Sequence, residues 1–250
     1  MKGIMHEQFT KQEKRELRRE EREKEGRGQK TKIFMRRLAM WSFVVFVVGG
    51  TIFGMAQLAN SPSLKQPALL LDAVSATDWM KGGKEAKIIL VEYSDFQCPA
   101  CAAYYPFVKQ LTQDFGDKLQ IVYRHFPLRQ IHKNADASAY AAEAAGRQGK
   151  FWEMHDMIFD NQSEWANKYS VEETFVNYAT ALGLDIEKFK SDIDSKEVKD
   201  KVENDYLSGI RSNVNATPTF FLNGKKILNP RSYDEFKTII NQAGDSASNN

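Results

Sequence analysis

Residues 38–59, LAMWSFVVFVVGGTIFGMAQLA, form a run without a single charged side chain. A helix of about 20 apolar residues spans the hydrocarbon core of a bilayer, so this run predicts a transmembrane helix. Arg36 and Arg37 come directly before it, and basic residues mark the cytoplasmic end of such a helix. The sequence therefore predicts a single-pass membrane protein, with residues 1–37 in the cytoplasm and the chain after Ala59 outside it.

A cleaved signal peptide is the alternative interpretation of this run. Gly54-Met55-Ala56 has the small-x-small pattern of a cleavage site. Signal peptides, however, have a core of about 7–15 apolar residues, which is shorter than this run, and a shorter charged segment before the core. We expect the segment to remain as an uncleaved anchor in the cell membrane.

The charges of the chain are unevenly distributed. Residues 1–37 carry thirteen Lys or Arg and seven Glu, whereas the whole chain has a net charge of only +2. The arm has no apolar stripe, which is typical of a solvated helix or a disordered segment. The part after the membrane segment is net acidic, so no nucleic-acid partner is expected for it.

The folded domain is predicted to cover residues 87–243, after a stalk and lead-in over 60–86. It opens with KIILVEY at 87–93, an apolar run typical of a buried strand. Apolar residues at helical spacing follow over 99–115, and LQIVYR at 119–124 predicts the next strand. A strand, a helix and a strand of these lengths indicate a βαβ unit with parallel strands.

The second half of the domain is predicted to be a helical block followed by a hairpin. Residues 134–213 have mostly helical patterns. Strands are predicted at 219–222 and 226–228, on either side of Asn223-Gly224, a dipeptide that strongly indicates a tight hairpin.

The chain is predicted to end with a helix from about Tyr233 to Gln242 and a loose tail over residues 244–250. The expected fold is therefore of the α/β class. A mixed four-stranded sheet carries helices on its faces, and the helical block is inserted between its two halves.

The only two cysteines of the chain are Cys98 and Cys101, separated by Pro99 and Ala100. They follow a predicted strand and open a predicted helix, a context in which a CxxC motif indicates redox chemistry. With Pro99 at the first helical position, Cys98 lies at the N-cap, where backbone N–H groups and the helix dipole favour a thiolate. The spacing thus predicts an exposed nucleophile, Cys98, and a shielded resolving thiol, Cys101.

The cysteine pair has two competing interpretations, an incidental buried thiol pair and a zinc or copper site. Structural zinc usually has four ligands, but the sequence has no second CxxC motif and no histidines at ligand spacing. A stabilising disulfide normally closes a long loop, and this pair closes a very short one. We expect redox chemistry without a metal or a cofactor.

Two residues outside the motif are further candidates. Glu92 lies six positions before Cys98, and if it is buried its raised pKa would let it exchange a proton with Cys101. A solvent-facing carboxylate is equally compatible with the sequence. Pro218 lies at the entry of the predicted strand TFFL, where a cis proline is rare and usually has a purpose. By itself, the pattern favours an ordinary trans proline.

Four segments resemble the DsbA-type thioredoxin-fold family, in particular its membrane-anchored extracytoplasmic branch. They are EYSDFQCPACAAYY, YRHFPL, GKFWEMHDMIFDNQ and NATPTFFLNG, in the order typical of the family, and the resemblance as a whole covers roughly residues 64–243. The resemblance implies a thioredoxin-like fold with an inserted helical block and the activity of a thiol–disulfide oxidoreductase.

The resemblance also implies catalytic roles for four residues. Cys98 would be the sulfur that attacks or is attacked, and Cys101 the sulfur that resolves the mixed disulfide. Pro218 would be cis and would face the disulfide. Glu92, as the acidic residue six positions before the first cysteine, would assist proton transfer.

Substrate binding is assigned in the same way to Thr217 and to the two residues between the cysteines. Thr217 would offer backbone hydrogen bonds to an extended substrate, beside Pro99 and Ala100. Strongly oxidising members of the family have Pro-His between the cysteines, and this chain has Pro99-Ala100 instead. The reduction potential is therefore expected between those of DsbA and thioredoxin, which differ by about 150 mV.

The predicted function is donation of the Cys98–Cys101 disulfide to reduced secreted or periplasmic client proteins through a mixed disulfide. The family implies a quinone-linked membrane partner that reoxidises the enzyme. A disulfide reductase or isomerase using the same residues is the enzymatic alternative. A tethered chaperone or a copper-binding protein is the alternative from another class.

Overall fold

The computed structural model describes residues 35–56 and 68–248. Helix α1 (Met35–Ala56) is 22 residues long, its most apolar window has a mean hydropathy of 2.0, and none of that window is buried. This helix has the length and composition of a bilayer span. It begins three positions before the predicted start at Leu38. The predicted cytoplasmic arm before Met35 and residues 60–67 of the predicted stalk and lead-in lie outside the described residues.

Residues 68–248 belong to a compact unit that is separate from helix α1. A five-stranded sheet forms the centre of this unit. Its strands are β1 (Trp79–Gly82), β2 (Ile88–Ser94), β3 (Leu119–His125), β4 (Thr219–Leu222) and β5 (Lys225–Lys226). Their order in the sheet is β1-β3-β2-β4-β5. β2 and β3 are parallel, whereas the other neighbours are antiparallel, so the sheet is mixed.

The helices fall into three groups along this unit. Between β2 and β3 lies α2 (Pro99–Phe115), followed by a short 3-10 turn, Gly116–Lys118. The insertion between β3 and β4 contains α3 (Ala135–Gly146), α4 (Phe151–Asp160), α5 (Gln162–Trp165), α6 (Glu172–Ala181), α7 (Ile186–Asp194) and α8 (Lys196–Arg211). The last helix is α9 (Tyr233–Ser248).

The unit β2-α2-β3 forms where the sequence predicts it. β2 is buried along almost its whole length, because it is a central strand covered on both faces. α2 turns Cys101, Tyr105, Val108 and Leu111 inward at helical spacing, and Gly116 ends it with a φ of 49°. The amino end of α2 therefore meets the carboxyl end of β2, the edge of an α/β sheet where binding sites form.

Helices cover both faces of the sheet. On one face, Val108 and Leu111 of α2 and Phe236 of α9 pack against the sheet in one apolar cluster. The insertion has a core of its own, to which Phe96 and Cys101 contribute from beside the sheet. The carboxyl end of β2 therefore lies at the junction of the sheet and the insertion.

The sheet has five strands rather than the predicted four, because β1 lies within the segment that the sequence assigns to a stalk and lead-in. β1 pairs antiparallel with β3. Trp79 stacks on Phe151 with ring centroids 4.3 Å apart, and its Nε1 donates to Glu143 at 2.7 Å. Contacts with the distant insertion thus hold β1 in place, and its four residues form too short a pattern to predict.

The end of the chain also differs in detail. Asn223 and Gly224 form the predicted hairpin turn with φ values of 47° and 79°, but β5 covers Lys225–Lys226 instead of 226–228. α9 continues to Ser248 instead of ending near Gln242. Most of the predicted loose tail is therefore helical.

Candidate functional site

Cys98 occupies the N-cap of α2, as predicted. Its φ of −71° and ψ of 121° are extended, and Pro99 follows at the start of the helix. The backbone N–H of Cys98 donates to the Asp95 carbonyl at 3.0 Å, and its Sγ lies 3.5 Å from the Thr217 carbonyl oxygen. Cys98 is only 7% exposed, so the predicted exposed nucleophile is in fact nearly buried.

The surroundings of Cys98 favour its thiolate. The strongest influence is a hydrogen bond from the Cys101 thiol, which lowers the pKa of Cys98, while burial opposes this effect. The side chain of Thr217 and the backbone amides of Ala100 and Cys101 lower it further, and the pKa of Cys98 falls to about 5. At neutral pH the reduced protein therefore carries a thiolate at Cys98.

The surroundings of Cys101 favour the protonated thiol. The residue is fully buried, and burial raises its pKa well above the ordinary value, followed by the effects of Cys98 and of the Glu92 charge. The Asp95 backbone N–H donates to Cys101 Sγ at 3.5 Å and opposes this shift only weakly. The two sulfurs of one motif thus have opposite protonation states at neutral pH.

Glu92 faces the interior of the domain. It lies on β2 opposite Tyr123 of β3 and Phe220 of β4, and it is 4% exposed, which excludes the solvent-facing alternative. Burial raises the pKa of Glu92 to about 7. A cavity of about 20 Å³, lined by Glu92, Tyr123, His155 and others, adjoins the carboxyl group. Its volume is enough for a water molecule to exchange protons with Glu92.

The peptide bond between Thr217 and Pro218 is cis, as the family resemblance implies. β4 begins directly after Pro218 and pairs with β2, which sets the Thr217 carbonyl beside the sulfur of Cys98. Pro99 and Ala100, in contrast, are exposed. The structure thus brings all seven predicted site residues to one edge of the sheet.

Asp95 is a residue of the site that the sequence did not single out. Its Oδ1 accepts the N–H of Gln97 at 2.8 Å, and its Oδ2 accepts the N–H of Leu128 at 2.9 Å. The second oxygen also bonds His132 Nδ1 at 2.7 Å. Asp95 therefore fixes the turn between β2 and Cys98 to the loop after β3. Its position two residues after the predicted strand, within the segment EYSDFQCPACAAYY, was the available signal.

One buried group of side chains could in principle hold a metal ion. Ligand atoms of His125, Glu143 and Asp205 lie within 4.8 Å of one another. His125 Nε2 already bonds Glu143 at 2.8 Å, and Asp205 accepts the His125 backbone N–H at 3.1 Å and Lys201 Nζ at 2.6 Å. These polar groups are satisfied by one another, so the cluster is explained as a structural network.

A sequence profile of the thioredoxin family matches residues 75–242. The chain belongs to the thioredoxin family. The matched region contains β1 and every predicted site residue, and the predicted thioredoxin-like fold with an inserted helical block is confirmed.

Solved structures of similar fold come from several bacteria. BdbD from Bacillus subtilis, in its oxidised form, has a TM-score of 0.64 at 22% identity, over 72% of this chain and 100% of that chain. The alpha-DsbA1 protein of Wolbachia pipientis has a TM-score of 0.61 at 23% identity, over 71% and 96%. A thioredoxin-like oxidoreductase from Silicibacter pomeroyi DSS-3 has a TM-score of 0.58 at 23% identity, over 68% and 94%. This chain thus has the fold of thiol–disulfide oxidoreductases.

Curated relatives have a different name. Na(+)/H(+) antiporter NhaA 1 of Mycolicibacterium vanbaalenii is 38% identical over 193 residues, which is 76% of this chain but 30% of that protein. Na(+)/H(+) antiporter NhaA of Herminiimonas arsenicoxydans is 40% identical over 157 residues, 63% of this chain and 24% of that protein. This chain spans less than a third of these relatives, and their transport function is not transferred to it.

Proposed function

We propose that this protein is an extracytoplasmic thiol–disulfide oxidoreductase that donates the Cys98–Cys101 disulfide to secreted client proteins. The observation that carries the proposal is the contrast between the two sulfurs, because the pKa of Cys98 is lowered and that of Cys101 is raised. A thiolate that is stable at neutral pH leaves readily from a disulfide. A disulfide that releases such a thiolate therefore favours the oxidation of a client.

The reaction begins with the oxidised protein. A client thiolate attacks Cys98 Sγ, a disulfide forms between the client and Cys98, and the bond between Cys98 and Cys101 breaks. Cys101 leaves as a thiolate and takes up a proton. Glu92 supplies that proton, since its pKa of about 7 keeps part of the carboxyl group protonated at neutral pH.

A second client thiolate then completes the exchange. It attacks the client sulfur of the mixed disulfide and expels Cys98 as a thiolate. The client loses two electrons and gains a disulfide, while the enzyme becomes a dithiol. Thr217, Pro218 and the exposed pair Pro99-Ala100 hold the client chain beside Cys98 during both steps.

Helix α1 keeps this chemistry at the membrane in the proposed arrangement. The residues before α1 lie in the cytoplasm and the thioredoxin-like unit lies outside it, where secreted or periplasmic clients arrive reduced. A quinone-linked membrane protein accepts the two electrons and restores the disulfide. The net acidic charge of the sequence after the membrane segment gives no support for a nucleic-acid partner.

The test is a trapping experiment in cells with the full-length Cys101→Ala variant. In this variant the Cys98 thiolate attacks a client disulfide and expels one client sulfur as a thiolate, and no Cys101 thiol is present to release the complex. Mixed disulfides between Cys98 and clients should therefore accumulate and should disappear on reduction. Secreted proteins with paired cysteines should be the trapped partners. The matched control is the double variant Cys98→Ala/Cys101→Ala, which should trap nothing.

Two results would contradict the proposal. One is a trapped set without secreted cysteine-containing proteins. The other is a reduction potential near the thioredoxin value of about −270 mV, measured by equilibration with glutathione, which would make the protein a reductase.

A further inference from the structure

The turn that carries Cys98 is held by a side chain of the helical insertion. Gln162, the first residue of α5, directs its Nε2 group at two backbone carbonyls of the turn. It donates to Phe96 O at 2.6 Å and to Cys98 O at 3.0 Å. A single amide group thus binds the backbone on both sides of Gln97, directly before α2.

The position of Gln162 is itself fixed by large buried neighbours. Phe159 precedes it by three residues and Trp165 follows it by three, and both are buried. Trp165 Nε1 donates to the Ile158 carbonyl at 2.8 Å. The ring of Phe96 packs on Phe159 with centroids 4.9 Å apart. The amide of Gln162 is therefore presented from a rigid part of the insertion.

Gln97 forms a second connection between the turn and the insertion. Its Oε1 accepts the backbone N–H of Asn134 at 2.6 Å, and its Nε2 donates to the Ala166 carbonyl at 2.6 Å. The turn is thus bonded to the insertion through its carbonyl groups by Gln162 and through its own side chain by Gln97. These are direct hydrogen bonds, with donor–acceptor distances of 2.6–3.0 Å.

The orientation of the Cys98 carbonyl matters for its sulfur. The same carbonyl accepts the first hydrogen bond of α2, from the Ala102 N–H at 3.2 Å. Its direction therefore sets how the first turn of the helix begins. The amides of Ala100 and Cys101 in that turn are the groups that face the Cys98 sulfur. A group that fixes this carbonyl also fixes the donors that favour the thiolate.

We propose that Gln162 is a positioning residue for Cys98, which holds the Phe96 and Cys98 carbonyls so that the amino end of α2 stays directed at the reactive sulfur. The inference rests on the proposed function, since it concerns the same thiolate. It gives the helical insertion a direct part in the reactivity of a cysteine that the insertion does not contain. Gln162 itself touches no reacting atom.

The test compares Gln162→Glu and Gln162→Met with Gln148→Glu, in full-length protein in detergent. An ionised carboxylate at position 162 cannot donate to the two carbonyls and adds a negative charge near the thiolate, whereas methionine only removes the donors. Gln148 is a matched control, because it also bonds the backbone from within the insertion, to Asp185 N and O at 2.9 and 3.0 Å. It makes no hydrogen bond to the cysteine turn.

The measurement is a titration of thiolate absorbance near 240 nm in the reduced proteins. Gln162→Glu should raise the pKa of Cys98 by about one unit, Gln162→Met by a smaller amount, and Gln148→Glu not at all. A rise of that size lowers the thiolate fraction at pH 5 about fivefold. Circular dichroism establishes that each variant is folded.

The inference is overturned if both Gln162 variants titrate like the control. It is also overturned if Gln162→Met fails to fold, since Gln162 would then serve folding and not the positioning of the thiolate. The pKa of Cys98 in the wild-type protein distinguishes a failure of this inference from a failure of the proposed function. A wild-type pKa near the free-cysteine value of about 8.5 would defeat the proposed function, whereas a low wild-type pKa with unshifted variants would defeat only the role of Gln162.

Discussion

The surroundings of Cys98 and those of Cys101 differ in nearly every property that controls a thiol, although one helical turn separates the two residues. Cys98 receives a hydrogen bond from its partner and faces backbone amides, so its pKa is lowered to about 5. Cys101 is fully buried beside the Glu92 carboxyl group, so its pKa is raised. The difference arises from where the two residues lie on α2, because Cys98 is at its amino end and Cys101 is one turn further along.

The position of each cysteine on α2 therefore determines its protonation state in the reduced protein. A cysteine at the N-cap has the orphan N–H groups of the helix around it. A cysteine at the third helical position is turned toward the core, where a charge is unfavourable. The same spacing therefore produces one thiolate and one protonated thiol.

The largest expected effect is a loss of reactivity toward an alkylating agent. At pH 6 most of Cys98 is ionised, whereas the raised pKa of the fully buried Cys101 keeps its thiol protonated. Reduced Cys98→Ser should therefore react with iodoacetamide at least about a hundredfold more slowly than reduced Cys101→Ser. The rates are measured by mass spectrometry under native conditions. Similar rates in the two variants would remove the contrast between the sulfurs.

The next effect concerns the carboxyl group beside Cys101. The pKa of Glu92 is about 7, against an ordinary value of 4.5. At a pH between 4.5 and about 7, Glu92 is protonated in the folded protein but ionised in the unfolded chain. Stability therefore falls as the pH rises through this window, and the full penalty of about 3 kcal/mol is present above pH 7.

Glu92→Gln should remove this penalty. We expect the free energy of unfolding of the reduced protein to increase by about 2–3 kcal/mol at pH 8 and to change little at pH 4. Urea denaturation at both pH values measures it. Glu153→Gln, at an exposed position of the insertion, is the control and should show no such dependence. A gain that is equal at both pH values would mean that Glu92 is not the buried acid described above.

A smaller effect tests the bond between the two sulfurs. Because the hydrogen bond from Cys101 is the strongest influence on Cys98, a side chain that still donates should preserve part of the shift. Serine donates and alanine does not. The pKa of Cys98 should therefore be about one unit higher in Cys101→Ala than in Cys101→Ser, as measured by thiolate absorbance. Equal pKa values in the two variants would mean that the amides of the helix, and not a hydrogen bond from position 101, lower the pKa of Cys98.

The smallest effect is the pH dependence of the reduction potential. Above about pH 5 the reduced protein binds one proton, at Cys101, since Cys98 stays ionised. The potential should then fall by about 30 mV per pH unit, and by about 60 mV per unit below pH 5, where both sulfurs are protonated. Equilibration with glutathione between pH 4 and 8 measures the slope. A slope of about 60 mV per pH unit up to pH 7 would mean that both thiols stay protonated there, so that the pKa of Cys98 is not lowered.

Local elements of the fold were predictable from the sequence. KIILVEY and the residues that recur along α2 place a strand and a helix on either side of the CxxC motif, because burial and period are visible within about ten residues. β1 was not predictable in this way. It is ordered by Trp79, whose stacking partner Phe151 belongs to the insertion, and a contact between such distant residues has no local pattern.

The residues of the site likewise divide into those that local sequence patterns or family resemblance indicate and those that depend on distant contacts. The identities of Cys98 and Cys101 followed from spacing and context, and Thr217 and Pro218 from family resemblance. The burial of Glu92 required the register of β2 between β3 and β4. Asp95 and Gln162 act by bonding backbone groups of other segments, and no single-sequence pattern reports which backbone a polar side chain reaches.

The pairing of β2 with β4 has a consequence for the newly made chain. The two strands are neighbours in the sheet, with Leu90 opposite Leu222, but all six helices of the insertion lie between them in the sequence. Because long-range pairings form slowly, we expect this one to be among the last contacts made. Until then Cys98 lacks Thr217, whose side chain helps to lower its pKa. The newly made domain would therefore contain the CxxC motif before β4 has paired with β2. Cys98 would reach its full reactivity only after the hairpin of β4 and β5 has docked.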